Sequence, residues 1–198
     1  MKISTKGSFL AIILLVPAAG CLFQPREAEP PGVVNVDYLP RQDPLSVLSN
    51  LETAFTHLHA SGYQDQIADD FTYEPDSDTQ ASYPNVDWAS WNRDMEVAFI
   101  TNFFNTVSAI TANMTAETIQ PQWSGDEAHL RYVYAMTVSE AGGETPYRGQ
   151  VTLDFRLDGT YWKLYRWYDE AGGRDPDTQA VLPTLGQRRG AFAVQGGG

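Results

Sequence analysis

At 198 residues, with 25 Asp+Glu against 13 Lys+Arg, a formal charge of −12 and a single cysteine, the composition already narrows the field. So acidic a chain argues against nucleic acid or anionic headgroups as partners. One cysteine excludes an internal disulfide, so stability has to come from a core.

Residues 1–20 read as a leader. Lys2 and Lys6 precede an apolar run from Phe9 to Val16, and Pro17-Ala18-Ala19-Gly20-Cys21 follows. A basic start, a short apolar stretch and small residues before a cut have the layout of a secretory signal. A membrane-spanning helix needs about 20 apolar residues, far more than this run supplies. The small residues ahead of Cys21 resemble the bacterial lipobox, with Ala18 where that pattern prefers Leu. The resemblance implies export by the general secretory route, lipidation of Cys21 as the mature N-terminus, and a membrane anchor. Leu22 after the cysteine implies, by the same resemblance, the periplasmic face of an outer membrane. Loss of Lys2 and Lys6 with the leader leaves 11 Lys+Arg, 13 less two, and a formal charge of −14. Residues 21–42, with Pro25, Pro30, Pro31 and Pro40, read as an extended linker. About 125 residues, 43–169, then suffice for one domain.

Asp43-Pro44 is a helix start, an acidic N-cap followed by proline at the first helical position. Leu48, Leu51, Phe55 and Leu58 recur at helical steps, and Gly62 is expected to close the helix. His57 and His59, two apart, point in different directions and cannot share a metal; no metal site is expected, and no cofactor. A short second helix is expected over Tyr63–Ala68, then a short strand carrying Phe71 and Tyr73. Glu74 to Asn85 reads as an acidic loop. Its Asp76 and Asp78 lack the further ligands and glycine of a calcium loop. A third helix is expected from Trp88 to Phe104, capped by Asp87, with Trp88, Trp91, Met95, Ala98 and Phe99 on one stripe.

Thr106–Met114 has the β-branched residues of a strand, and Ala128–Val138 alternates. The clearest alternation runs from Gly149 to Leu157, with Val151, Leu153, Phe155 and Leu157 on one side. Asp158-Gly159 then suits a two-residue hairpin loop. That loop would place Phe155 opposite Trp162, Leu153 opposite Leu164, and Arg148 opposite Asp169. Arg166 would then face inward beside Val151. A bulge after Leu164 would instead turn Arg166 outward and bring Trp167 inside. Residues 170–198 lose periodicity and are expected to form a flexible tail.

The order of helices and strands is similar to that of the NTF2-like (SnoaL-like, ketosteroid-isomerase-like, cystatin-like) fold. That is an α+β cone of about three N-terminal helices on a curved, mostly antiparallel sheet. Three stretches carry the likeness: Leu51…Phe55…Ala60-Ser61-Gly62-Tyr63…Ile67-Ala68-Asp69-Asp70-Phe71-Thr72-Tyr73; Trp88-Ala89-Ser90-Trp91; and Asp158-Gly159-Thr160-Tyr161-Trp162-Lys163-Leu164…Trp167-Tyr168-Asp169. Thr184–Phe192 also resembles tails of NTF2-like lipoproteins. Along this match the isomerase's base falls on Pro75, its tyrosine on Leu51 and its acid on Val151. No catalytic residue is therefore assigned, although Asp70, Tyr73 and Glu74 stay as acid/base candidates for an isomerase, dehydratase or cyclase. Phe55, Phe71, Tyr73, Trp91, Met95, Phe99, Phe155, Trp162 and Arg166 line the expected cone. They either fill it or wall a pocket for a small apolar or amphiphilic ligand. Tyr161, Tyr165 and Trp167 would project from the outer sheet face, where a homodimer or another protein partner could bind.

Overall fold

The computed structural model describes residues 36–196, and for 115–123 the backbone alone. The leader and Cys21 lie outside the described residues. The elements follow the order α1 (Pro44–Thr56), α2 (Ala60–Gln64), β1 (Ile67–Glu74), α3 (Ser77–Ser82), a 3-10 turn (Trp88–Ser90), α4 (Arg93–Thr106), β2 (Ala109–Ser124), β3 (Glu127–Glu140), β4 (Gly143–Asp158), β5 (Tyr161–Gly172) and α5 (Leu185–Val194). One five-stranded sheet, ordered β1-β5-β4-β3-β2, is antiparallel except where β1 runs beside β5. This is the expected α+β, NTF2-like cone: helices packed on the inner face of a mostly antiparallel sheet.

Local chemistry sets the helix starts. The Asp43 side chain accepts from Ser46 N, with Pro44 at the first helical position. The α1 helix ends at Thr56, before Gly62, because Leu58 takes a left-handed backbone (φ 52°). Gly62 instead sits inside α2, where a Cβ would lie 1.8 Å from Tyr38 Oη. Tyr38 reaches there because 36–42, read as linker, docks on the domain. Its hydroxyl bonds His59 Nδ1 at 2.7 Å, and Leu39 exchanges hydrogen bonds with the Asn50 side chain.

The third helix begins later than expected. Trp88–Ser90 forms a 3-10 turn, Trp91 is extended, and Asn92 caps α4 through Asp94 N and Met95 N. Asp76 caps the short α3 by accepting from Asp78 N, Thr79 N and Thr79 Oγ1, so the stretch read as a loop holds a helical turn.

The hairpin register is two residues away from the expected one. Asp158 pairs with Tyr161, which makes Gly159-Thr160 the loop, with only Gly159 at positive φ (65°). A lone glycine at the first central position suits a type II′ turn, which needs no left-handed second residue. Phe155 therefore faces Leu164, and the bulge follows Leu164: Asp154 meets Arg166, Leu153 meets Trp167 and Val151 meets Asp169. Arg166 points outward and Trp167 is fully buried, so the inward placing of Arg166 is corrected. The bulge inverts the side-chain alternation for the rest of β5.

The expected flexible tail contains a buried helix. Thr184 and Gln187 make a reciprocal capping box at the start of α5. Leu185, Gly186, Arg189 and Gly190 on one of its faces are buried.

Candidate functional site inside the cone

Seven of the nine expected lining residues meet in the core. Phe55, Phe71, Tyr73, Trp91, Phe99 and Phe155 are each 3% exposed or less, and Trp162 is buried with them. Met95 packs partly buried at the margin, and Arg166 lies outside. Edge-to-face pairs tie Tyr73 to Trp91 and Trp91 to Phe99.

Two carboxylates not expected at the site lie within this aromatic interior: Glu96, and Asp169, which was expected opposite Arg148 on the outer face and instead pairs with Val151. Glu96, on α4, is fully buried and accepts four hydrogen bonds. Arg189 of α5 gives two, Nε to Oε2 at 2.9 Å and Nη2 to Oε1 at 2.6 Å. Tyr63 Oη donates to Oε1 at 2.7 Å, and Trp91 Nε1 to Oε2 at 2.9 Å. This saturates the acceptor capacity of a carboxylate. Desolvation works against the charge on Arg189, but Glu96 outweighs it and holds the guanidinium well above its ordinary value. Burial, reinforced by Glu96, raises the Tyr63 hydroxyl.

Asp169, on β5, accepts from Tyr73 Oη at 2.6 Å and Trp167 Nε1 at 2.7 Å. Burial pushes its pKa up to about 6, against the opposing pull of Arg189 and the two donors. Burial and Asp169 together raise Tyr73. Tyr134 Oη, also raised by burial, accepts from Leu185 N at 2.8 Å and so ties α5 to β3.

The roof is α5. A Cβ on Gly186 would lie 2.6 Å from both Asp169 Oδ2 and Tyr73 Oη, and one on Gly190 would strike the Tyr83 ring. These two glycines, with Arg189, form the i, i+3, i+4 face that enters the cone. Arg189 Cζ lies 4.3 Å from the Tyr73 ring centre, 4.8 Å from Trp167 and 5.0 Å from Phe99.

The other candidates lie elsewhere. Asp70 is exposed and paired with Arg156, which lowers its pKa. Glu74 is exposed, and Pro75, Leu51 and Val151 are buried. The sheet's outer face carries charge pairs more than aromatics: Arg131 with Glu170, His129 and Arg166 with Asp154, and Arg156 with Asp70. Trp167 is absent from that face, Tyr161 stacks under Arg41, and Tyr165 under Arg156. Among the described residues no three His, Cys, Asp or Glu side chains gather to hold a metal.

Comparison with solved structures supports the same architecture. A candidate aromatic ring hydroxylase from Novosphingobium aromaticivorans aligns at 15% identity over 73% of this chain and 92% of that one, TM-score 0.55. A candidate scytalone dehydratase from the same organism aligns at 13% over 69% and 87%, TM-score 0.54. A nuclear transport factor 2 (NTF2-like) superfamily protein from Salmonella enterica aligns at 9% over 68% and 92%, TM-score 0.50. At such identities the likeness is one of fold. No protein-family model and no curated protein matches the chain.

Proposed function

We propose that this chain is an envelope lipoprotein, anchored through lipidated Cys21 at the periplasmic face of an outer membrane, whose NTF2-like domain binds a partner and does not turn over a substrate. One observation carries the non-catalytic reading. Glu96 and Arg189 pair at the centre of the cone, both 0% exposed, so α5 fills the space that a small apolar ligand would need. The outer face of β3–β5, where Arg131 and Tyr161 are exposed and Arg156, Tyr165 and Arg166 half-buried, is then the surface for a protein partner, a second copy included. Mass spectrometry of the mature N-terminus tests the anchor. The expected product begins at Cys21 with acyl chains attached and sits in the membrane fraction, and Cys21→Ser loses both properties. An unmodified cysteine in a soluble chain would contradict the anchor.

A second reading rests on Asp169. A buried carboxylate with a pKa near 6, beside a tyrosine hydroxyl, is the kind of group that general acid/base chemistry uses. Structural neighbours include candidate hydroxylase and dehydratase proteins, but fold alone does not transfer an activity. Deuterium uptake from solvent into a panel of small enolisable ketones separates the readings. None is expected; uptake that disappears in Asp169→Asn would establish the enzyme.

A further inference from the structure

The Glu96–Arg189 contact has the construction of a receptor and its ligand. On the receptor side, Tyr63 and Trp91 fix the plane of the Glu96 carboxylate by donating one bond to each oxygen. Both come from outside α5, so the acceptor fork does not depend on that helix. Tyr73, Phe99 and Trp167, also outside α5, supply three rings within 5.0 Å of the guanidinium carbon. A carboxylate presented edge-on inside an aromatic cage matches a planar, forked cation, and an ammonium would use neither the fork nor the stacking.

On the ligand side, α5 enters with the two glycines that let its backbone approach. It is joined to β5 by residues 173–184, where Arg148 N to Pro183 O and Gly173 N to Arg148 O are among the bonds to the rest of the chain. Among the described residues Arg189 Nη1 has no hydrogen-bond partner, so the chamber holds the guanidinium by one edge of its fork. A purely structural plug gains little from a buried ion pair, since an apolar side chain of similar volume is commonly as stable.

We infer that the cone is a guanidinium-binding site and that helix α5 is its tethered occupant, so that a guanidinium cation supplied from outside binds Glu96 and the Tyr73/Phe99/Trp167 cage once the Arg189 side chain is removed. In the cell that chemistry is carried by an arginine side chain. The inference holds whether or not Cys21 is lipidated, and it concerns a different surface from the outer sheet face.

The test is chemical rescue in the full chain. Arg189→Ala leaves a chamber shaped for the missing group. Its thermal midpoint is followed in methylguanidinium chloride, in methylammonium chloride and in sodium chloride, all millimolar and matched in ionic strength. Methylguanidinium is expected to raise the midpoint saturably, by roughly 5–10 °C at about a hundredfold excess over its dissociation constant. Methylammonium and sodium should leave it in place, as should methylguanidinium added to the parent, to Arg189→Met or to Glu96→Gln/Arg189→Ala. An equal response to methylammonium, or no response in a folded Arg189→Ala, overturns the inference. Should Arg189→Ala not fold unaided, the same salts are added during refolding. Recovery with methylguanidinium alone is then the expected result, and recovery with neither overturns the inference.

Discussion

The inside of the cone and the outer face of its sheet use the same kinds of ion pair under opposite conditions. On the outer face, Arg131 meets Glu170 and Arg156 meets Asp70, with the arginines roughly a third to a half exposed. Water and salt compete for those charges, and pairs of this kind contribute about 0–1 kcal/mol. Inside, Arg189 and Glu96 are both 0% exposed, and every oxygen lone pair of the carboxylate is engaged. There the charges cannot return to water, so removing either partner strands the other. Position in the fold, more than the residue types involved, decides what an arginine–carboxylate contact is worth.

The sharpest way to break the comparison is to cut both kinds of pair. Glu96→Ala strands Arg189, Tyr63 and Trp91 together and is expected to cost about 3–5 kcal/mol in denaturant unfolding. Arg189→Met added to it removes the stranded cation and should recover a large part of that loss. A cost below about 1 kcal/mol for Glu96→Ala would place the interior pair with the surface ones.

Next in size is the pH dependence carried by Asp169. Its folded pKa of about 6 lies above the ordinary aspartate value of 3.8, so between these two values the folded state binds more protons than the unfolded one. Stability from this group therefore falls as pH rises from about 4 to 6, by about 3 kcal/mol in all. Asp70 and Glu170, whose pKa values are lowered, act in the opposite sense and lose their contribution as pH falls through their folded values. The parent curve minus the Asp169→Asn curve isolates the first effect. A difference flat across that window would refute it.

Gly186→Ala should cost about 1–3 kcal/mol by overpacking Asp169 and Tyr73. In an ordinary helix interior the same change stabilises by up to about 1 kcal/mol, so the sign alone decides. Arg131→Ala, on the outer face, is expected to cost about 1 kcal/mol or less, and less still at high salt.

The fold was legible because it rests on local signals. Asp43-Pro44 starts α1, and the alternation from Gly149 to Leu157 builds β4. The cone lining also followed from periodicity, which brings Phe55, Trp91, Phe99 and Phe155 to one interior. The register of β5 was not legible beyond Leu164, because one bulged residue swaps the faces of Arg166 and Trp167 and leaves the alternating pattern readable either way. The polar centre was hidden for a different reason. Glu96 and Arg189 are 93 positions apart; Glu96 on its own reads as a charged residue on a solvated helix face, and Arg189 falls in the stretch read as a flexible tail. A local signal did exist at Thr184 and Gln187, three apart as a capping box requires. Beside it, Gly186 and Gly190 flank Arg189 at the spacing of one helix face. That stretch pointed to a docked helix where lost periodicity suggested a flexible tail.

The buried Glu96–Arg189 pair requires α5 to be an integral wall of the cone, and amide hydrogen exchange of residues 189–194 measures that directly. The predicted result is protection well above free-peptide rates in the parent, falling to near those rates in Arg189→Ala while the β4 and β5 amides stay protected. Free-peptide exchange of these amides in the parent would contradict the account, leaving the cone open and Glu96 without its partner.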